Sequence, residues 1–284
     1  MGFPNFICIG AQKAGTTWID AQLRQHPSVW MPPMKEVHFF DYQYREDFRR
    51  WITWHLNTTL KRELLKSVEA GKKKAMDWKR IKYLSELATS PKRFSVEWYK
   101  QIFAYAPKGA ICGEITPEYS TIGEAGISHM RELIPDVKII YVIRDPVARA
   151  WSQLKMNMVR NGSLISGKVP EDSAFLENLD HPSIMDRGNY SAFVPQWDKY
   201  FTEGTEILYI PFKEISSNPE GLMRRIENFI GLPKHDEYDG LRKIVHKGSG
   251  IKRPNLVDSK LRQMMADEYE FLNTRFGAEF SSAI

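Results

Sequence analysis

The sequence predicts an α/β protein built in three layers, with helices on both faces of a central parallel sheet. Two observations support this class. Short apolar runs recur along the chain, and helical stretches follow most of them. Such alternation is typical of a parallel sheet whose strands are buried on both faces. In addition, a glycine-containing turn, GAQKAGTT at residues 10–17, joins the first apolar run to the first helical stretch.

The apolar runs give the strands in order. NFICIG at residues 5–10 is short and ends at a glycine, which predicts a central strand. The helical stretch that follows it stops before Pro27. Four further apolar runs predict strands or strand ends: VHFFD at 37–41, AICGEITP at 110–117, VKIIYVIRDP at 137–146 and EILYIPFKEI at 206–215.

Two helical regions complete the prediction. Residues 42–93 are basic, aromatic and helical in pattern, and we interpret them as a helical insertion. The run PEGLMRRIENFIGLP predicts an amphipathic helix that stops at Gly231 and Pro233. The chain of 284 residues shows no repeat or linker, so residues 1–284 are predicted to form one domain.

Composition limits the class of partner. The chain is 42% hydrophobic and 26% charged, and its formal net charge is +5. This small positive excess suits an anionic ligand without calling for a nucleic acid. Cys8 and Cys112 lie in apolar runs and are expected to be free thiols in the core. Neither a secretory signal nor a membrane-spanning run is visible, so a cytoplasmic location without membrane insertion is expected.

The turn after the first strand resembles a phosphate-binding loop. Gly10 and Gly15 have the spacing of the G-x-x-x-x-G-K-[ST] pattern, but Thr16 stands where that pattern has lysine, and Lys13 lies inside the loop. Glycines let the backbone approach an anion, and the amino end of the next helix offers N–H groups. An ordinary strand-to-helix turn is the alternative. Lys13, Gly15, Thr16 and Thr17 together favour phosphate binding.

Two more segments offer donors for phosphate. Arg144 ends the clearest strand, and Ser152 follows two helical turns later. In open parallel sheets, ligands lie at the carboxyl ends of strands, although Arg144 could equally pair with Asp145. The run HKGSGIKRP at residues 246–254 combines glycines with cations, which is typical of either an anion-binding loop or a solvated basic turn. A ligand with two separated phosphate groups would explain all three segments.

These segments together resemble the sulfotransferases that use 3′-phosphoadenosine 5′-phosphosulfate. The resemblance rests on FICIGAQKAGTTWI, IIYVIRDPVARAWSQ and HKGSGIKRP, and it implies a P-loop-like fold. KEVHFFD, EWYKQIFAYAP, GEITPEYS and RGNYSAFVPQWDKYF are more similar to the heparan sulfate, or carbohydrate, branch than to the cytosolic phenol and steroid branch. The resemblance covers most of the chain.

The resemblance implies donor-binding roles. Lys13 would neutralise the charge that develops when the bond to sulfur breaks, and Trp18 matches a position that contacts adenine in the cytosolic branch. The residues implied in binding the 5′-phosphosulfate and the 3′-phosphate, or in closing over the donor, are Lys13, Ala14, Gly15, Thr16, Thr17, Trp18, Arg144, Ser152, Gly250, Ile251, Lys252 and Arg253. The product would be adenosine 3′,5′-bisphosphate, and no metal is expected.

The same resemblance implies Glu36 as the catalytic base, because an acceptor hydroxyl must lose a proton as it attacks sulfur. His38 lies two residues on, and in an extended stretch the two side chains would point to the same side. Either could be the base. The alternatives are a surface salt bridge for Glu36 and a packed histidine for His38. Ile115 stands where the carbohydrate branch has a lysine, which returns the base role to this pair.

The predicted function is transfer of a sulfuryl group to a hydroxyl or amine of a carbohydrate or small metabolite. One alternative is a P-loop kinase-like phosphotransferase, which would need a lysine before Thr16 and a strand-ending aspartate, such as Asp145, for magnesium. The other is a nucleotide-binding regulatory protein without catalysis. Three insertion tryptophans could bind the acceptor or pack the insertion, and packing is the simpler expectation: Trp51, Trp54 and Trp78.

Overall fold

The computed structural model describes residues 2–72, 75–165, 170–243 and 250–284. Within these ranges, five parallel strands form one sheet in the order β2-β3-β1-β4-β5. The strands are β1 (Phe6–Gly10), β2 (Val29–Trp30), β3 (Ile111–Ile115), β4 (Lys138–Ile143) and β5 (Ile207–Pro211).

Strand β1 lies at the centre of the sheet and is fully buried. Its residue Cys8 pairs with Ile115 of β3 on one side and with Ile140 of β4 on the other. Because all three strands are parallel, their carboxyl ends meet at one edge of the sheet. The loops that leave this edge carry the residues singled out from the sequence, as expected for an open parallel sheet.

Helices cover both faces of the sheet, which confirms the predicted fold class. Their bounds are α1 (Thr16–Leu23), α2 (Phe39–Tyr44), α3 (Arg49–Gly71), α4 (Trp78–Thr89), α5 (Val96–Phe103), α6 (Gly123–Leu133), α7 (Pro146–Arg160), α8 (Asp172–Glu177), α9 (Tyr190–Tyr200), α10 (Glu214–Ser217), α11 (Pro219–Ile230), α12 (Asn255–Met264) and α13 (Ala266–Ser282).

Local signals in the sequence fix several helix ends. Helix α7 begins with Pro146, and the Asp145 carboxylate accepts a hydrogen bond from the Ala148 N–H at 2.6 Å. An aspartate cap followed by proline is a strong start signal, since both suit the first turn of a helix. Helix α11 ends at Gly231, whose φ of 74° is the left-handed geometry that glycine adopts without strain.

The predicted strand at residues 37–41 is wrong. Glu36 and His38 have left-handed φ angles of 68° and 58°, and helix α2 begins at Phe39. The apolar run therefore reflects side chains that pack into the core from a tight turn and the start of a helix. Conversely, the sequence did not predict strand β2. Its two residues, which pair with β3, are too few to show a periodic hydrophobic pattern.

Two long helices, α3 and α4, occupy most of the segment predicted as a helical insertion. Helix α3 packs against the main core through Ile52, Leu56 and Leu60, which are all buried. The prediction that the three tryptophans pack the insertion is wrong for two of them, since Trp54 is 61% exposed and Trp78 is 70% exposed. Only Trp51, among the three, packs against the core, where it is partly buried.

A second apolar cluster joins α7 to helices α8 and α12. Val147 and Leu154 of α7 contact the same cluster as Val257 and Leu261 of α12. Helix α12 thereby packs directly against α7. Both cysteines are buried and free, as predicted. Across the described residues, none of the helices has the length and apolar character needed to cross a bilayer; the expected location stays a prediction.

Close packing between β3 and β1 gives a test of the fold. A Cβ added at Gly113 would lie 2.0 Å from Cζ of the Phe6 ring, inside the buried sheet. We expect Gly113→Ala to lower the free energy of unfolding by about 1–3 kcal/mol through overpacking. Chemical denaturation would measure it. Phe6→Leu should relieve part of the clash. The double variant should therefore lose less unfolding free energy than the two single variants lose together. Additive losses would contradict the contact.

Candidate active site

Three loops meet at the carboxyl edge of the sheet. One joins β1 to α1 and carries Lys13; another precedes α2 and carries Glu36 and His38; the third follows β4 and carries Arg144. The Glu36 loop is held at this edge by a hydrogen bond from its backbone N–H to the Ile115 carbonyl oxygen at 3.1 Å. The structure therefore brings together residues that lie more than 100 positions apart in the chain.

The β1–α1 loop has the geometry of an anion cradle. Gly15 caps α1 with φ of 81°, and a Cβ there would lie 2.4 Å from Cδ1 of Ile215. Only glycine fits this position without moving its neighbours. The amino end of α1 follows directly, and Thr16 is buried at its first position. Such a helix start presents backbone N–H groups that favour negative charge.

Arg144 supports this loop from β4. Its guanidinium donates to the carbonyl oxygen of Lys13 and lies 4.4 Å from the centre of the Phe212 ring. Its Nε is buried without a hydrogen-bond partner in the described part of the chain. Burial lowers the pKa of Arg144, an effect that Tyr190 and Asp145 only partly offset. An incoming anion could therefore be received by a guanidinium that has unused donor capacity.

Further cations surround this point. Burial lowers the pKa of Lys13, and repulsion from Arg144 and Arg160 lowers it further. Burial and repulsion from Arg144 and Arg253 likewise lower the pKa of Lys155. Lys155 lies on α7, one turn after Ser152. Sequence reasoning missed Lys155, although its i+3 spacing from Ser152 on a helix was a usable signal. Cations that repel one another mark a place where an anion would be stabilising.

The C-terminal loop is described only in part. Residues 246–249 of the predicted HKGSGIKRP loop lie outside the described residues. Ile251 packs against the α7 cluster, and Arg253 forms an ion pair with Asp258 of α12. Gly250 and Lys252 are exposed. Ile251, in the described part of this loop, thus lies beside α7, the helix that carries Ser152.

Trp18 is buried in the core and does not present an open ring face to a ligand. Its side chain is 4% exposed in the main core, and its indole N–H donates to the Leu241 carbonyl oxygen at 2.9 Å. The hydrogen-bonding end of the ring is therefore satisfied by the protein itself. Contact of Trp18 with adenine stays a prediction.

Backbone strain is concentrated at this site. Four non-glycine residues in the described ranges have positive φ, and three of them are Lys13, Glu36 and His38. Such conformations persist only where the surrounding structure enforces them. The three predicted catalytic residues are thus held in conformations that cost energy, which is typical of functional sites.

Glu36 lies within a shell of cations. Its Oε1 accepts from Lys35 Nζ at 2.8 Å, and its Oε2 lies 3.7 Å from Nε2 of His38. Burial raises the pKa of the Glu36 carboxyl, but Lys35 and His38 outweigh it and hold the pKa well below its usual range. The side chain remains 22% exposed, so Glu36 is an ionised carboxylate that a ligand can reach from solvent.

His38 lies behind Glu36 and is fully buried. Its Nδ1 is 2.6 Å from Oδ2 of Asp41, a buried residue of α2. Burial lowers the pKa of the imidazole, but the Asp41 and Glu36 carboxylates outweigh burial and raise the pKa to about 10. His38 is therefore an imidazolium placed between two carboxylates. Its contact with Glu36 arises from two left-handed residues and not from the extended stretch expected.

Two neighbours of this pair were missed in the sequence. Asp41 follows His38 at i+3 at the start of a helix, a spacing that could have identified it. His55 comes from helix α3, and its Nε2 lies 4.0 Å from Oε2 of Glu36. Its ring stacks on Trp51 with centroids 5.0 Å apart. No local signal points to His55, because its place depends on how α3 docks.

The parallel sheet defines an α/β protein whose candidate site, at the carboxyl edge, combines a glycine-capped helix start, buried cations and an ionised carboxylate. The comparisons assign the family: residues 4–237 match the sulfotransferase family, and the chain belongs to it.

Relatives of known activity lie in the heparan sulfate branch, as predicted. The chain is 24% identical to mouse heparan sulfate glucosamine 3-O-sulfotransferase 3B1 over 96% of its own length and 62% of the mouse protein. It is 25% identical to human heparan sulfate glucosamine 3-O-sulfotransferase 6, covering 82% of the chain and 53% of that protein. The chain thus spans roughly half to three fifths of the length of these relatives.

Solved structures confirm the fold. A sulfotransferase from Alicyclobacillus acidocaldarius superposes with a TM-score of 0.62 at 20% identity, covering 96% of both chains. Sulfotransferase STF9 from Mycobacterium avium gives a TM-score of 0.54 at 15% identity, covering 97% of this chain and 78% of that one. At these identities the likeness shows the shared architecture.

The charge of His38 gives a test by pH. Its pKa of about 10 in the folded protein lies above the usual value of 6.5. The stabilisation it contributes is present below pH 6.5 and is lost as the pH rises through about 10. We expect the stability difference between wild type and His38→Gln to shrink across this window in urea denaturation. A difference that is constant with pH would show that His38 is neutral in the fold.

Proposed function

We propose that this protein transfers a sulfuryl group from 3′-phosphoadenosine 5′-phosphosulfate to a hydroxyl or amine of a glycan by in-line displacement. The observation that carries the proposal is the cationic edge around the β1–α1 loop. Lys13, Arg144 and Lys155 come from separate elements, and burial together with neighbouring charges lowers the pKa of each lysine. A ligand with phosphate groups at two positions would offset the repulsion among these cations, because each phosphate would place negative charge between them.

The residues fit such a donor in two places. The β1–α1 loop and the start of α1 would hold the 5′-phosphosulfate, with Lys13 beside the bridging oxygen. Ser152 and Lys155, one turn apart on α7, would hold the 3′-phosphate together with the free Nε of Arg144. Charge-assisted hydrogen bonds of this kind are short and strong.

Each residue then has a defined part in the transfer. Glu36 accepts the proton of the acceptor hydroxyl or amine as the new bond to sulfur forms. Lys13 stabilises the negative charge on the oxygen released when the old sulfur–oxygen bond breaks. Lys35 and His38 hold the Glu36 carboxylate in place. The donor supplies its own leaving group, so these residues need only position, accept a proton and neutralise charge.

The pairing of Glu36 with His38 supports Glu36 as the base. An imidazolium that is fully buried and paired with Asp41 has no lone pair with which to accept a proton. Glu36 is ionised and reaches the cleft. Its low pKa makes it a weak base, so it is best suited to accept the proton late, when the new bond is largely formed.

The surroundings of Asp145 favour a structural role over magnesium binding. Asp145 accepts from the Ala148 N–H with Oδ1 and from the Tyr269 hydroxyl with Oδ2, both at 2.6 Å. Its carboxylate thus caps α7 and joins it to α13, which counts against the kinase alternative. The presence of Glu36 and Lys13 in strained positions also favours a catalytic protein over a regulatory one.

The names of the relatives support a glycan acceptor, and the cleft wall formed by α3 is where it would bind. Trp51 lies beside His38 and His55, and the Arg160 guanidinium lies 5.9 Å from the centre of the Trp51 ring. An aromatic ring with a nearby cation suits a sugar that carries negative charge.

Donor specificity can be tested without an acceptor. We expect adenosine 3′,5′-bisphosphate to raise the melting temperature of the protein more than AMP or ATP with magnesium. Ser152→Ala and Lys155→Ala should weaken binding of the bisphosphate by about tenfold, since each removes a phosphate contact of about 1.4 kcal/mol. Affinity for AMP should change little.

Val159→Ala is the matched control, because Val159 is an exposed residue on the same helix. Isothermal titration calorimetry would give the affinities. Stronger stabilisation by ATP with magnesium would overturn the donor assignment.

The base assignment can be tested with labelled donor and a panel of heparan-type oligosaccharides. We expect Glu36→Gln to lower kcat at least 100-fold, since general base catalysis contributes about 10²–10⁴. Affinity for adenosine 3′,5′-bisphosphate should be retained. Near-normal turnover in Glu36→Gln would overturn Glu36 as the base.

A further inference from the structure

Helix α3 adds a third metal-ligating side chain to the Glu36–His38 pair. Glu36, His38 and His55 each offer one ligand atom, and the three atoms lie within 4.8 Å of one another. His38 Nε2 and His55 Nε2 lie 3.7 Å and 4.0 Å from the same carboxylate oxygen, Oε2 of Glu36. From the sequence no metal-binding spacing is visible, because His55 lies in the segment predicted to be an insertion.

Within the described part of the chain, both Nε2 atoms are buried without a hydrogen-bond partner, and Glu36 Oε2 lies only at ion-pair distance from each. A buried polar atom without a partner is costly, and it calls for an explanation. Two such nitrogens aimed at one carboxylate oxygen form the donor set of a His₂Glu zinc site, with bonds of about 2.0–2.2 Å. We propose that Glu36, His38 and His55 form a binding site for Zn²⁺ or a similar divalent transition-metal ion.

The surroundings orient the ligands for this task. Nδ1 of His38 lies 2.6 Å from Asp41 Oδ2, which leaves Nε2 as the ligand atom, and a bound ion would take the place of the proton on Nε2. A carboxylate behind a metal-binding histidine is the usual outer contact of such ligands. Lys35 occupies Oε1 of Glu36, so Oε2 is the oxygen available to an ion. Trp51 stacks on His55 and meets His38 edge-on, which fixes both rings.

The three ligand atoms are almost as close together as coordination of the ion requires. Ligand atoms around a tetrahedral zinc ion lie about 3.3 Å apart, given bonds of about 2.0 Å. The observed 3.7 Å and 4.0 Å exceed this by less than 1 Å, and the separation of the two histidine nitrogens is at most 4.8 Å. His55 is 24% exposed and Glu36 is 22% exposed, so an ion can enter from solvent.

The donor set also selects the metal. Two imidazoles favour zinc, cobalt, nickel and copper, whereas magnesium and calcium prefer oxygen ligands. An ion here would occupy the oxygen of Glu36 that faces the two histidines. On the proposed function, on which this consequence rests, the ion would block the base, so the site is inhibitory. Binding itself does not depend on that function.

The test is titration of the full chain with Zn²⁺ by calorimetry, and with Co²⁺ by visible absorption. We expect one ion per chain, the absorption bands of tetrahedral Co²⁺ and no binding of Mg²⁺. His55→Gln should weaken zinc binding tenfold or more, since loss of a ligand costs at least as much as loss of an outer contact, about 10–100-fold. His181→Gln is the matched control, because His181 is exposed and lies outside the cluster.

The outcomes separate this proposal from the proposed function. No zinc binding, or equal affinity in wild type and His55→Gln, would overturn the metal site whatever the activity. Where turnover is measured, zinc at saturating concentration should abolish it and EDTA should restore it. Zinc bound at the site with turnover unchanged would overturn the inhibitory role. A chain that binds zinc but transfers no sulfuryl group in its zinc-free form would support the site and count against the proposed function.

Discussion

The contact between the Arg144 guanidinium and the Lys13 carbonyl oxygen joins the ends of β4 and β1. The rest of the site depends on this contact, because it holds the β1–α1 loop in its strained shape. Lys13 is left-handed, Gly15 leaves no room for a side chain, and α1 begins directly after them. Backbone strain of this kind costs about 1–3 kcal/mol at each residue, so it must be offset by neighbouring packing. The buried β1 and the Phe212 ring provide that packing.

The site divides into two electrostatic halves with Lys13 between them. On one side, Arg144 and Lys155 repel Lys13, and that repulsion favours an anion. On the other, Glu36 and Asp41 enclose the charged His38. The second half is balanced internally, because the positive charge of His38 is paired on both sides. Removing one member of such a buried group leaves an uncompensated charge, which typically costs about 3–5 kcal/mol. One half is therefore built to receive charge and the other to keep a carboxylate ionised.

Much of the fold was predictable, because strands buried on both faces are continuous apolar runs. β1, β3, β4 and β5 all lie within predicted strands, and the caps of α7 and α11 were visible as Asp145-Pro146 and Gly231. The failure at residues 37–41 has a physical cause. Glu36 and His38 adopt left-handed φ angles because contacts with β3 and α2 enforce them, and local propensity gives no sign of such contacts. Residues 246–249, which belong to the third predicted loop, lie outside the described residues.

The sequence by itself determined the loop chemistry. Glycines, Lys13 and Arg144 stand at strand ends and helix starts, Ser152 follows two helical turns after Arg144, and their spacing along the chain places them near one edge of a parallel sheet. Only the tertiary structure decided what faces Glu36. His55 reaches it from a helix that docks through Ile52, Leu56 and Leu60. The apolar pattern of that helix shows which face is buried but not which surface it meets, because hydrophobic burial is non-directional. The groups around the carboxylate are therefore set by long-range packing.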